Sequence, residues 1–251
     1  EKLKKYHGVE VEVQGSIDAR DIVLMHEMIA RTNPLGRRYV KKVVIHSRDA
    51  DLGSFESGGK SWKRAGQYDR ARQQIDVKTN YEVLAHELGH AEWEAILDTA
   101  KEGAESAVQR AGMMLGEKTW NERLDAVFRA DDRIYDPANS KEVLFNAFLD
   151  FKWMVNAKTV PTLYAASWLN ERITDYPNSG DAVALGEHVA IRVNAHRSDN
   201  ESYAELAAYT GVSEYWKRRK RKGLGIEVLE GSKPLQKEFR KLRAALADVS
   251  K

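Results

Sequence analysis

The sequence predicts an α+β protein, and three observations lead there. Segments with strand character fall within about the first 80 residues, nearly everything from Tyr81 onward has helical periodicity, and no repeat or low-complexity linker separates the two parts. The 251 residues are 42% hydrophobic, and 40 basic residues against 38 acidic ones leave a net charge of +2, which excludes wholesale disorder. One domain over 1–251 is expected, with a small mixed α/β part in 1–80, a motif helix in 81–99, a helical insertion in 100–197, and in 198–251 a helix carrying Glu201 followed by basic C-terminal helices.

Val9 to Val13 alternates valine with glutamate at period two, as a strand with one wet face does. Ser16 opens a helix whose apolar positions, Ile17, Ile22, Val23, Met25, Met28 and Ile29, recur at helical spacing until Asn33-Pro34-Leu35-Gly36 stops it. Tyr39 to His46 is β-branched and reads as a central strand. A glycine- and serine-rich turn covers Gly53 to Ser61, and Gln67 to Lys78 reads as one or two strands. Helical patterns follow over Tyr81–Leu115, Thr119–Ile134, Ser140–Asn156, Leu163–Ile173, Asp181–Asn194, Asp199–Tyr209 and Leu235–Val249. Trp93, Trp120, Trp153 and Trp168 fall within these patterns and read as core.

The absence of cysteine removes disulfides, thiolate metal sites, thiol nucleophiles and iron–sulfur clusters together, so any metal must sit on nitrogen or oxygen. Apolar runs are broken by charge, as at Asp150 and Lys152, and no span of about 20 apolar residues is present. No signal peptide is visible, and a soluble chain is expected. Its opening on Glu1 reads as processing or trimming.

Residues 86 to 90 read His86-Glu87-Leu88-Gly89-His90. Histidines at i and i+4 project from one face of a helix and converge on one ion, and Glu87 beside them can reach a water without ligating the metal. Catalytic zinc usually takes three protein ligands and leaves a position for water. The extended HExxHxxGxxH pattern fails, because Trp93 and Ile96 stand at the glycine and third-histidine positions. The best third ligand is Glu201, with Glu205 one turn later on the same face to accept a hydrogen bond from a ligand histidine. Gly89 and Ala91 permit close approach of a neighbouring backbone, and Ala204, Ala207 and Ala208 keep the Glu201 helix slim where it would pack beside the motif helix. Two other readings stand beside this one. Ser198 followed by Glu201 fits a capping box, and Glu92, Glu94 and Asp98 are competing carboxylates, of which Glu92 and Glu94 read as solvated or supporting groups.

The HELGHA segment at 86–91, together with the downstream Glu201-Ser-Tyr-Ala-Glu205 helix, resembles the gluzincin branch of the zincin metallopeptidases. The second segment is similar to that of the anthrax lethal-factor-like group. The resemblance implies a zinc-dependent endopeptidase of zincin-like fold acting on a peptide or protein substrate. His86, His90 and Glu201 would bind zinc, Glu87 would be the general base, and Glu205 would support a ligand. Two departures accompany it. Roughly 110 residues separate His90 from Glu201, and Arg192, Val193 and Asn194 stand where such enzymes often carry an oxyanion-stabilising tyrosine. His196, Arg192 and Tyr203 are the candidates to replace it.

An edge strand around Gln73 to Thr79 is expected to bind substrate in extended form. A basic run, Lys217, Arg218, Arg219, Lys220, Arg221 and Lys222, follows Tyr215-Trp216 and suits a weak nucleic-acid or polyanion contact. The alternatives to an enzyme are a structural or interaction protein, such as a virion or assembly component, that keeps the fold, and a nucleic-acid-binding protein using the basic run. His7, His26, His46 and His188 are isolated and read as structural or surface residues.

Overall fold

A computed structural model describes residues 4–57, 60–110, 136–156, 199–211 and 232–250. The chain is mixed α+β, with a small N-terminal mixed sheet and a mostly helical remainder. The sheet contains β1 (Lys4–Tyr6), β2 (Val9–Gln14), β3 (Lys42–His46), β6 (Gly66–Asp69) and β7 (Gln74–Lys78) in the order β1-β2-β3-β7-β6. The β2–β3 and β3–β7 pairs are parallel, whereas β1 and β6 pair antiparallel at the two edges. β3 is central, as its β-branched composition predicts.

Register puts Val11, Val43 and Ile75 in one row and Val13, Ile45 and Val77 in another. Val9, Val11, Val43, Ile45, Ile75 and Val77 are buried against Met25, Met28 and Ile29 of α1 (Ala19–Arg31) and Leu84, Ala85, Leu88 and Ala91 of α3 (Tyr81–Arg110). Each of the valine, isoleucine, leucine and methionine side chains contributes roughly 1.5–3 kcal/mol through burial. The opposite face carries Lys42 paired to Glu12 at 2.5 Å and His46 to Asp76 at 3.0 Å around the buried Val44.

Several boundaries differ from expectation, each for a local reason. α1 begins at Ala19, not near Ser16, because Asp18 is extended and its carboxylate caps the Arg20 amide. Asn33-Pro34 starts a short helix, α2 (Pro34–Arg38), with Asn33 as N-cap and proline in the first turn; the preceding helix has already ended at Thr32. The Gly53–Ser61 stretch holds most of a hairpin, β4 (Ser54–Ser57) with β5 (Lys60–Lys63), whose four-residue strands are too short to show alternation. α3 does not end at Thr99 but continues to Arg110, so the expected insertion begins inside the motif helix.

α3 separates two cores. Beyond the sheet, Trp93, Ile96, Ala100 and Ala104 pack with Leu144, Phe148, Phe151 and Val155 of α4 (Ser140–Asn156), Tyr203 and Leu206 of α5 (199–211), and Leu235, Phe239 and Leu242 of α6 (Lys233–Val249). A helix buried on both sides loses the one-sided stripe of a surface helix. Trp93 is core as expected, but Trp153 is 69% exposed, since it lies across α4 from the Leu144, Phe148, Phe151 and Val155 face. Trp120 and Trp168 lie outside the described residues. Among the described residues no helix is long and apolar enough to cross a membrane.

Candidate metal centre

The motif histidines are placed by the junction of sheet and helix. Thr79 donates from both its amide (2.9 Å) and its hydroxyl (2.7 Å) to the His46 carbonyl, tying the end of β7 to the end of β3. Asn80 Oδ1 then accepts the amides of Glu82 and Val83 at 2.9 and 3.3 Å, which starts α3 directly on the sheet edge. His86 and His90 follow on one face of that helix, their rings edge-on at 86° and their Nε2 atoms 3.0 Å apart.

The third member arrives from 110 residues downstream. α5 approaches α3 closely because Gly89 has no side chain: a Cβ there would lie 2.7 Å from Ala204 Cα and 3.1 Å from Ala207 Cβ. This approach brings Glu201 Oε2 to 3.3 Å from His86 Nε2 and 3.8 Å from His90 Nε2. One ligand atom from each of His86, His90 and Glu201 lies within 4.8 Å of the others, so the group could hold a metal ion. All three side chains are largely buried.

The hydrogen bonds on the far side of the rings show what the near side needs. His86 Nδ1 lies 2.8 Å from Glu205 Oε1, and His90 Nδ1 lies 2.8 Å from Asn200 Oδ1. Both partners are acceptors, so both Nδ1 atoms carry hydrogen and each neutral ring turns an Nε2 lone pair inward. Two such lone pairs and a carboxylate oxygen crowded together require a cation or a proton between them. This donor set, two imidazoles and one carboxylate with oriented rings, suits a divalent transition metal. Burial disfavours the imidazolium of His86, but hydrogen bonds to Glu201 and Glu205 outweigh it and hold its pKa well above the usual histidine value.

Glu87 is 7% exposed, and burial pushes its carboxyl up despite the nearby histidines. It lies under β6: a Cβ on Gly66 would come within 2.9 Å of Glu87 Oε1, and the Tyr68 backbone hydrogen bonds to the Glu87 carboxylate. The expected edge around Gln73 to Thr79 is an interior strand, since β6 folds back antiparallel on β7 and takes the edge itself. The Lys78 amide donates to the Ala65 carbonyl at 2.8 Å. By antiparallel alternation, Gln67 and Asp69 then face β7, and the main-chain groups of Gly66 and Tyr68 face outward.

Tyr203 does not reach the metal face. It is fully buried two residues beyond Glu201, across the helix, where its ring packs on Trp93 and Phe239 and its hydroxyl donates to Glu92 Oε2 at 2.9 Å. Glu92 is likewise neither solvated nor beside the histidines. It is 1% exposed on the opposite side of α3, where it also accepts the Asn33 amide (2.7 Å) and the Arg243 guanidinium (3.1 Å). Glu94 is engaged by Arg70 at 2.9 Å, and Asp98 accepts the Tyr39 hydroxyl at 2.5 Å. Asn200 escaped the sequence reading; its only signal was adjacency to Glu201. Arg192, His196, His188, Ser198 and the basic run Lys217 to Lys222 lie outside the described residues.

Comparison with protein-family models, with curated proteins and with solved structures returned no match.

Proposed function

We propose that the chain is a zinc-dependent metallopeptidase of the gluzincin type, with a zincin-like catalytic domain. The carrying observation is the convergence of His86 Nε2, His90 Nε2 and Glu201 Oε2 beside a buried Glu87 that faces a sheet edge. A purely structural ion needs no buried carboxylate beside its ligands.

Zinc, when bound by His86, His90 and Glu201, supplies Lewis acidity that polarises a peptide carbonyl and lowers the pKa of water. Glu87 takes the proton of the attacking water on its carboxylate and passes it to the leaving amine nitrogen. Its buried position favours the protonated form more than water does, which suits a group that must both accept and release a proton. The substrate lies extended along β6, bonded to the outward main-chain groups of Gly66 and to the Tyr68 carbonyl, the Tyr68 amide being held by Glu87. Glu205 and Asn200 hold the imidazole rings in orientation and tautomer. Arg192 and His196 are the remaining candidates for oxyanion stabilisation.

Metal analysis combined with a peptide-library assay tests this reading. The parent chain should bind one zinc and cleave in a chelator-sensitive way. Glu87→Gln should keep the zinc and lose cleavage, whereas His86→Ala and Glu201→Ala should lose both. Unchanged zinc in Glu201→Ala removes the third ligand, and full activity in Glu87→Gln removes the general base.

A further inference from the structure

A cavity of about 430 Å³ opens at the carboxyl ends of β3 and β7, between the first turns of α1 and α3. Its size is within the range of roughly 300–1,000 Å³ typical of ligand pockets. It adjoins the metal centre at two points. Ala65 lines it, and the next residue, Gly66, abuts Glu87. Glu82 also lines it, and His86 follows one helical turn later on the same face.

Its formal charges balance, Asp21 and Glu82 against Arg48 and Lys78, but they are not all engaged with one another. Arg48 lies 3.3 Å from Asp21, and that pair is mutually satisfied. Lys78 belongs to the outward set Gln74, Asp76 and Lys78 of β7, alternating with buried Ile75 and Val77, and its ammonium acts on Asp49. Glu82 is left. Among the described residues no cation pairs with its carboxylate, and burial alone pushes its pKa up. Met25 and Tyr81 offer apolar walls along which the stem of a long side chain can lie.

The position of the cavity relative to β6 indicates which side of the substrate it serves. β6 and α3 run alongside in the same sense, since Gly66 meets Val83 and Glu87 while Arg70, just past β6, pairs with Glu94. A peptide added antiparallel to β6 therefore carries its C-terminal side towards Ala65 and the cavity. We propose that this cavity is the specificity pocket for a residue on the C-terminal side of the scissile bond, and that Glu82 makes it select lysine or arginine. The proposal rests on the peptidase reading.

A mixed peptide library digested by the zinc-loaded parent, Glu82→Gln and Glu82→Lys, with cleavage positions read by mass spectrometry, tests it. The parent should enrich lysine and arginine at one position C-terminal to the cut. Glu82→Gln should lower kcat/KM for those peptides about tenfold relative to peptides with neutral residues there, and Glu82→Lys should turn the preference towards acidic residues. Zinc content should stay the same in all three. Cleavage without charge preference, or a basic preference that survives Glu82→Lys, overturns the pocket assignment and leaves the peptidase reading standing. No chelator-sensitive cleavage by the parent overturns both.

Discussion

Gly89→Ala sets helix propensity against site geometry. Alanine in place of glycine within a helix favours α3 by about 1 kcal/mol. The added Cβ, however, meets Ala204 Cα at 2.7 Å, and ordinary contact begins near 3.4 Å, so α5 must retreat by roughly 0.7 Å. Overpacking of this kind costs about 1–3 kcal/mol, which offsets the propensity gain and leaves the fold between unchanged and about 2 kcal/mol less stable. The metal centre is less forgiving, because ligand distances must hold within about 0.2 Å and Glu201 moves with α5. Zinc affinity should therefore fall about 10- to 100-fold, a loss of the size seen when supporting contacts around a metal are removed. Competition against a chromophoric chelator measures the affinity, and thermal unfolding of the metal-free protein measures the fold. Ala204→Gly should not rescue the variant, since the clash is with the Cα and not with the side chain. A Gly89→Ala protein that binds zinc as tightly as the parent would refute the close approach of α5 as the device that completes the site.

Two further outcomes follow from the hydrogen bonds. Tyr203→Phe keeps the ring in its aromatic cluster but removes a donor from buried Glu92, and it should cost about 1–3 kcal/mol in urea unfolding while zinc content is retained; unchanged stability would show that the Glu92 hub does not depend on Tyr203. His86, whose pKa in the metal-free fold lies well above 6.5, contributes stability that is present below the unfolded value and is lost as pH rises through the folded one. Zinc must displace that proton, so affinity should rise with pH and binding near pH 7 should release protons, measurable by calorimetry in buffers of different ionisation enthalpy. Release that is zero in the parent, or unaltered in Glu205→Ala, contradicts the assigned hydrogen bonds.

The contrast between what was legible and what was not follows the range of the interactions. Residues on one helix are related by a rigid screw, so the convergence of His86 with His90 and the shared phase of Glu201 with Glu205 could be read from spacing alone. Valine alternation likewise announced the inner face of β2, and a β-branched run the central place of β3. Helical periodicity past Thr99 was legible, but the point where the motif helix stops was not, because both sides of α3 are buried; the hairpin at 54–63 was hidden because its strands are too short for a period to emerge.

By itself the sequence determined how the candidate ligands are spaced within each helix and the absence of any thiolate donor. Only the tertiary structure decided which way α5 is rolled against α3. That roll sets Asn200 on His90 and turns Tyr203 away into the core with Glu92. It also decided that β6 and not β7 forms the open edge beside Glu87. The physical reason is the same in both cases. Strand order and helix roll arise from close packing between distant segments, such as Gly89 on Ala204 and Gly66 on Glu87, and neither contact leaves a periodic trace in the chain.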